Sequence, residues 1–216
     1  MDDELQRRIA EAVSPSGLTH KGSVVVLPSV DALRTVIGLC AETGTALRVS
    51  SGGSGVSVLS PPGGFVLDLS QLNTTSVDAG GLTLRAEAGA TAGEVRGAAA
   101  ARKLAVIGLP ADQDGHRIGS VIARGAVPRR TLTGVEAVLP SGELVSAGGA
   151  VLKDVVGYDL AGLLLGSLGR LAVIVAVRLR LEPAGAATPV GAAAGPVAPG
   201  VLAGAFDPDG LLRSRE

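Results

Sequence analysis

Only three aromatic side chains, Phe65, Tyr158 and Phe206, occur in this chain of 216 residues, and none is a tryptophan. A core must therefore be built from Val, Leu, Ile and Ala. The 46% hydrophobic content supplies enough of them for one large domain or two small ones. The same scarcity argues against a protein that stacks nucleic-acid bases, and a formal net charge of -1 gives no attraction to nucleic acid or to anionic membranes. Cys40 is the only cysteine, which excludes an internal disulfide and a cysteine-built zinc or iron–sulfur site and suits a reducing cytoplasm. His20 and His116 lie far apart in sequence, so no metal site is expected. The first 13 residues are charged and amphipathic, without the apolar run of a secretion signal. The longest apolar stretch, 160–177, is broken by Gly162, Gly166, Gly169 and Arg170. No membrane span is expected, and the cytoplasm is the expected location.

Periodicity and punctuation predict alternating helices and strands. Residues 2–13 read as a short helix ended by Ser14-Pro15-Ser16-Gly17. Residues 24–27 read as a buried strand. Ser29 then caps a helix whose Leu33, Val36, Ile37 and Cys40 share one face, and Gly44 stops it before a strand over 46–49. This strand–helix–strand order predicts a small parallel unit. Further strands are expected over 65–69, 82–86 and 104–107, and helices over 91–103 and 118–124. The first of these helices has Thr91 and Glu94 at capping-box spacing. A hairpin is expected over 133–139 and 143–147, then a helix over 157–165. A long strand over 171–181 follows, with Arg178 and Arg180 on one face. After Pro183, residues 184–204 are almost all Ala, Gly, Pro and Val, which reads as a linker.

Ser50-Ser51-Gly52-Gly53-Ser54-Gly55-Val56-Ser57 is the segment richest in chemistry. Glycines let a backbone turn tightly and aim several N–H groups at an anion such as a dinucleotide's diphosphate. Gly53-Ser54-Gly55 is half of a Rossmann pattern. The continuation carries Pro61 and Pro62 where that pattern needs the first turns of a helix. Read alone, the loop is either an anion cradle or a surface turn.

The order of segments adds a resemblance. Val24 to Leu33, the 48–57 loop, Phe65-Val66-Leu67-Asp68-Leu69-Ser70-Gln71-Leu72-Asn73, Ala86 to Thr91, Ile118-Gly119-Ser120 and Val135 to Glu143 each resemble, in order, segments of one flavoprotein family. Lys153-Asp154-Val155-Val156-Gly157-Tyr158-Asp159-Leu160 and Gly166 to Ile174 complete the series. Over residues 24–183 the chain resembles the flavin adenine dinucleotide (FAD)-binding domain of the vanillyl-alcohol-oxidase/p-cresol-methylhydroxylase type. Within it, the chain is most similar to the glycolate oxidase and D-lactate dehydrogenase branch. The resemblance implies an α+β fold of two α/β subdomains clamping the dinucleotide, here over residues 23–183. A helix and turn over 1–22 precede it, and the 184–204 linker and a closing motif over 205–216 follow it.

By the same resemblance, Ser51, Gly52, Gly53, Ser54 and Gly55 would meet the diphosphate. Ile118, Gly119 and Ser120 would line the flavin side, and Val173 and Ile174 would touch the adenosine end through backbone atoms. Ser54 stands where covalent members carry histidine, which implies non-covalent FAD. The implied activity is oxidation of a small 2-hydroxy acid such as glycolate or lactate. The implied partners are a second flavin subunit and an iron–sulfur subunit.

Two departures bear on this. Relatives carry a substrate-covering cap between the last strand and a closing motif. Here Phe206-Asp207-Pro208-Asp209-Gly210-Leu211-Leu212, similar to that motif, is reached directly through the linker. The stretch between Gly125 and Gly134 is also shorter than in the family. The chain is then either a redox subunit whose partner supplies the substrate cover and base, or a non-catalytic remnant acting as scaffold or regulatory partner. No catalytic residue is assigned. His116 reads as a polar loop residue rather than a proton carrier, since no partner carboxylate is identifiable. Arg129-Arg130 reads as a solvated pair. Tyr158 and Lys153 each keep both a binding and a purely structural reading.

Overall fold

The computed structural model describes residues 3–14, 17–19, 23–50, 60–149, 159–186, 191–197 and 204–213. In chain order the elements are α1 (Asp3–Val13), β1 (Leu18–Thr19), β2 (Val24–Val26), α2 (Val30–Thr43), β3 (Leu47–Val49) and β4 (Phe65–Asp68). Then come β5 (Thr75–Asp78), β6 (Thr83–Glu87), α3 (Ala92–Ala100), β7 (Leu104–Val106), α4 (Ile118–Ala123), β8 (Leu132–Val138), β9 (Leu144–Gly148), α5 (Leu160–Leu164) and β10 (Val173–Pro183). The α+β expectation holds. β5 escaped sequence reading because it is an edge strand of alternately exposed and half-buried residues, Thr75, Ser76, Val77 and Asp78, with no apolar run.

The first sheet has the order β1-β2-β4-β3, with β2, β4 and β3 mutually parallel. α2 makes the crossover. The Ser29 hydroxyl accepts from the Ala32 amide at 3.1 Å, and Gly44 ends the helix at φ 63°. Leu33, Val36, Ile37 and Cys40 are fully buried, as their spacing predicts. Burial pushes the Cys40 thiol up to about 12, so it packs as a small hydrophobe and is no nucleophile. The closing segment completes the outer edge. Leu47 donates to Leu211 O and Arg213 donates to Leu47 O, each at 2.7 Å. The buried Asp207 carboxylate accepts from the Leu211 and Leu212 amides, both at 2.8 Å.

The second sheet runs β5-β6-β10-β8-β9, antiparallel, with β7 on the far end of β10. β10 is its spine, eleven residues long with a continuous buried run from Val173 to Val177. On one face Arg85 of β6 reaches across β10 to Glu136 of β8 through two bonds of 2.7 and 2.6 Å. On β10 Arg178 stands opposite Arg85 and the small Ala176 opposite Glu136, so the pair spans the strand diagonally. The hydrogen bond from Arg85 holds the Glu136 carboxyl below the ordinary carboxylate range.

The two sheets meet at a glycine. Gly89 donates to Leu72 O at 2.7 Å, and a Cβ there would lie 2.0 Å from Leu69 O. The turn after β4 therefore rests directly on the turn after β6. The stretch read as a linker is docked where it is described. Ala194 donates to Val127 O, Gly195 to Gly125 O and Val197 to Gly166 O, at 3.1, 2.9 and 2.8 Å. Among the described residues no helix is long and apolar enough to cross a membrane.

Gly89→Ala is expected to cost about 2–3 kcal/mol through the forced backbone shift, a Tm lower by roughly 5–10 °C. Gly97→Ala, mid-α3 with no atom within 4 Å of the added methyl, is expected to stabilise by about 0.5–1 kcal/mol. Thermal melts of both variants check this, and equal effects would contradict it.

Candidate cofactor cradle

Open parallel sheets bind ligands beyond the carboxyl ends of their strands. β3 ends at Val49, and the amide of the next residue, Ser50, donates to Leu67 O at 2.8 Å. β4 ends at Asp68, whose carboxylate turns the chain by accepting from the Ser70 amide at 2.8 Å. The expected diphosphate residues Ser51, Gly52, Gly53, Ser54 and Gly55 follow β3 immediately and lie outside the described residues. So do Lys153 and Tyr158.

The second half of the candidate site is described. The turn Ala88-Gly89-Ala90 leaves β6 and is clamped on three sides. Ala88 donates to Val175 O, while Ile118 and Gly119 donate to Ala90 O and Ala88 O, at 2.8, 2.7 and 3.0 Å. The guanidinium of Arg117 adds a bond to Gly89 O at 2.5 Å. A Cβ on Gly119 would stand 2.7 Å from the Ala88 methyl, so only glycine lets α4 sit this close. Sequence reasoning grouped Ile118, Gly119 and Ser120 as one lining, and the structure divides their roles. Ile118 is buried in the core, and both its amide and that of Gly119 are engaged within the protein. Of the three, Ser120 alone carries a polar side-chain atom, buried and with no hydrogen-bond partner among the described residues. Val173 and Ile174 begin β10 with buried side chains, opposite Val138 and Ala137.

Three further sealed, partnerless polar atoms surround α4: His116 Nδ1, Arg124 Nε and Ser167 Oγ. Ser167 is in the turn whose neighbours Gly166 and Leu168 donate to Ile122 O and Ala123 O. An unsatisfied buried group costs about 1–3 kcal/mol, and four of the eight such atoms among the described residues lie on or beside this one short helix. Gly119 lets α4 pack on Ala88 and so sets the position of the Ser120 hydroxyl, the one polar side-chain group of this cradle, whose chemistry is compatible with a polyoxygenated cofactor such as FAD. Arg124, Gln113 and Ser167 went unnoticed in the sequence. The four-residue spacing of Ser120 and Arg124 along α4 and its C-cap was the available signal.

Arg129 is exposed, as expected, but it is also tied down by an ion pair. It donates from Nε to Asp159 Oδ2 at 3.0 Å and from Nη2 to Asp159 Oδ1, and its Nη1 reaches Leu132 O at 2.5 Å. Asp159 in turn caps α5 by accepting from the Gly162 amide at 2.8 Å. The bond from Arg129 holds the Asp159 carboxyl below its ordinary value. A separate cavity of about 470 Å³, lined by Gly44, Leu139, Phe206 and Pro208 among others, sits at the amino end of β3, away from this cradle. Among the described residues no group of acids, histidines and cysteines could hold a metal ion.

A family model described as an FAD binding domain matches residues 22–153. D-lactate dehydrogenase of Archaeoglobus fulgidus is 30% identical over 172 residues, 74% of this chain and 39% of that protein. Glycolate oxidase subunit GlcD of Bacillus subtilis is 40% identical over 57 residues, 26% of this chain and 12% of that protein. The chain thus spans well under half the length of these relatives. The crystal structure of p-cresol methylhydroxylase with substrate bound superposes with a TM-score of 0.68 at 17% identity, covering 84% of this chain and 43% of that one, a likeness of fold.

Asp159 has its pKa lowered on folding, so its contribution is present above the ordinary carboxylate range and is lost as pH falls through the folded value. Asp159→Ala removes cap and ion pair together and is expected to cost about 1–2 kcal/mol near neutrality. Asp159→Asn keeps a capping oxygen and is expected to cost less than about 1 kcal/mol. Urea titrations at neutral and strongly acidic pH check the order, and the gap between Asn and wild type should close in acid.

Proposed function

The chain belongs to the FAD-binding-domain family whose model spans residues 22–153, and on that premise we propose that it holds FAD non-covalently between its two sheets to oxidise a small 2-hydroxy acid. The observation that carries this reading is the glycine-tight α4 cradle, in which the Ser120 hydroxyl is sealed and unpartnered beside Gly119 and Ala88. Bound FAD supplies two-electron, hydride-accepting chemistry. The chain's part is to hold and orient it. The amides of Ser51 to Gly55 would face the diphosphate, Ser120 would hydrogen-bond the flavin side, and the Val173–Ile174 backbone would border the adenosine end. Ser54 in place of a tethering histidine supports non-covalent binding.

The substrate class is supported by relatives named for D-lactate and glycolate. No described histidine pairs with a carboxylate, so the base and the substrate cover are assigned to a partner. A second flavin subunit and an iron–sulfur subunit are the partners in keeping with the relative named as a glycolate oxidase subunit. The chain passes from β10 to its closing segment with only residues 184–203 between, which is the specific ground for the alternative of a cofactor-free scaffold.

Purified protein is expected to show flavin absorbance or to acquire it on titration. FAD at about 100 times its Kd should add ~2.7 kcal/mol, a Tm higher by roughly 5–10 °C. Denaturation should release all the flavin into the filtrate. A colourless protein whose melting ignores saturating FAD would favour the scaffold.

A further inference from the structure

The cavity of about 470 Å³ at the amino end of β3 has no part in the cofactor cradle. Three segments wall it: the carboxyl end of α2 at Ala41 and Gly44, the turn between β8 and β9 at Leu139 to Ser141, and the closing segment around Phe206 and Asp209. Its volume falls in the range of small-ligand sites, about 300–1,000 Å³. The walls are mostly apolar. Leu211 and Pro140 are buried, and Leu139 and Phe206 are half-buried. Phe65, the other phenylalanine, is fully buried, so the chain leaves Phe206 partly open at this one cavity although aromatic surface is scarce. Leaving such a ring wet forgoes burial free energy that an apolar ligand would recover.

The charge around the cavity has one sign. Asp207 and Asp209 are its only charged lining residues. Asp207 is buried and spends its oxygens on the Leu211 and Leu212 amides, at 2.8 Å each. Asp209 is exposed and has no partner among the described residues. The wall at Ala41 and Gly44 is the carboxyl end of α2, the negative end of a fourteen-residue helix with no basic residue in its last turn. The neighbouring cations are engaged or set apart. Arg8 pairs with Glu42 at 3.2 Å, and Arg34 binds Gly142 O at 3.0 Å and faces Asp31 at 3.6 Å. The Arg213 guanidinium lies beside Gly210, outside the lining.

We propose that this cavity is a binding site for a small organic cation, an ammonium group on an apolar body. The body rests on Phe206, Leu139 and Leu211. The ammonium is held by the Asp209 carboxylate and the negative end of α2. Charge complementarity selects the cation, because the walls offer carboxylates and helix carbonyls and no positive group. The site is independent of the flavin reading, since it lies on the opposite side of β3 from the segment expected to meet the diphosphate.

The test uses the full chain, wild type and Asp209→Asn, Phe206→Leu and Ala41→Lys. Asp209 and Ala41 are exposed and Phe206 is half-buried, so native circular dichroism and melting are expected for all three. Phenethylamine, its neutral isostere 2-phenylethanol and the anion 3-phenylpropanoate are titrated separately, with binding read from ligand-observed NMR. Phenethylamine is expected to bind wild type at least fivefold tighter than the alcohol and to weaken as salt is added. Asp209→Asn should remove most of that preference, and Ala41→Lys, which supplies the helix with its own cation, should abolish it. Phe206→Leu should weaken amine and alcohol alike. FAD titrations should give the same affinity for every variant. Equal binding of amine, alcohol and acid, an amine affinity unmoved by Asp209→Asn and Ala41→Lys, or no binding of any probe would each overturn the site and leave the flavin reading untouched.

Discussion

Everything in this molecule depends on how closely the turn after β6 can approach its neighbours. Ala88-Gly89-Ala90 has the turn after β4 on one side, β10 on another and α4 on a third, each joined by a backbone hydrogen bond. These contacts are possible only where side chains are absent or minimal, since a methyl on Gly89 or Gly119 would collide with Leu69 O or with Ala88. Close backbone approach rather than aromatic bulk binds the two sheets. That is how a chain with a single tyrosine and two phenylalanines closes its core.

The same closeness determines what the cradle offers a ligand. Because Ala88 and Ala90 engage the Gly119 and Ile118 amides, α4 cannot present those N–H groups outward. The polar capacity on this side of the molecule passes to side chains, namely Ser120 and the donors that flank it. A frame made rigid by backbone bonds holds its polar side chains in fixed positions, and a pre-organised set of this kind loses little further freedom on binding.

Most of the architecture was legible in the sequence because the local signals agree with one another. Ser29 and Gly44 bracket α2, Leu33, Val36, Ile37 and Cys40 define its buried side, and the Thr91–Glu94 box starts α3. Edge strands were not legible. β5 and β1 are held by pairing to β6 and β2 and carry no apolar pattern of their own. The site was half legible. Motif order marked Ile118-Gly119-Ser120, but which of them packs and which stays polar depends on the distant turn at Ala88. The pairing of the exposed Arg129 was not legible because its partner, Asp159, is thirty residues away and meets it only once α5 folds against β8.

The way the chain's last segments attach explains how this frame can close without an intervening domain. Residues 194–197 dock on Gly125, Val127 and Gly166 through backbone bonds, with the Gly195 carbonyl so near Gly125 and Gly166 that neither could carry a Cβ. The closing segment is fixed by Asp207 and by its pairing with Leu47. Neither attachment needs a side chain from whatever lies between β10 and Phe206. The outer edge of β3 is covered by a segment that Asp207 and the buried Leu211 and Leu212 hold in place, while residues 194–197 dock beside α4 and α5 through main-chain bonds. Within the intervening stretch it is the main chain of 194–197 that is fixed, beside the α4 end of the frame.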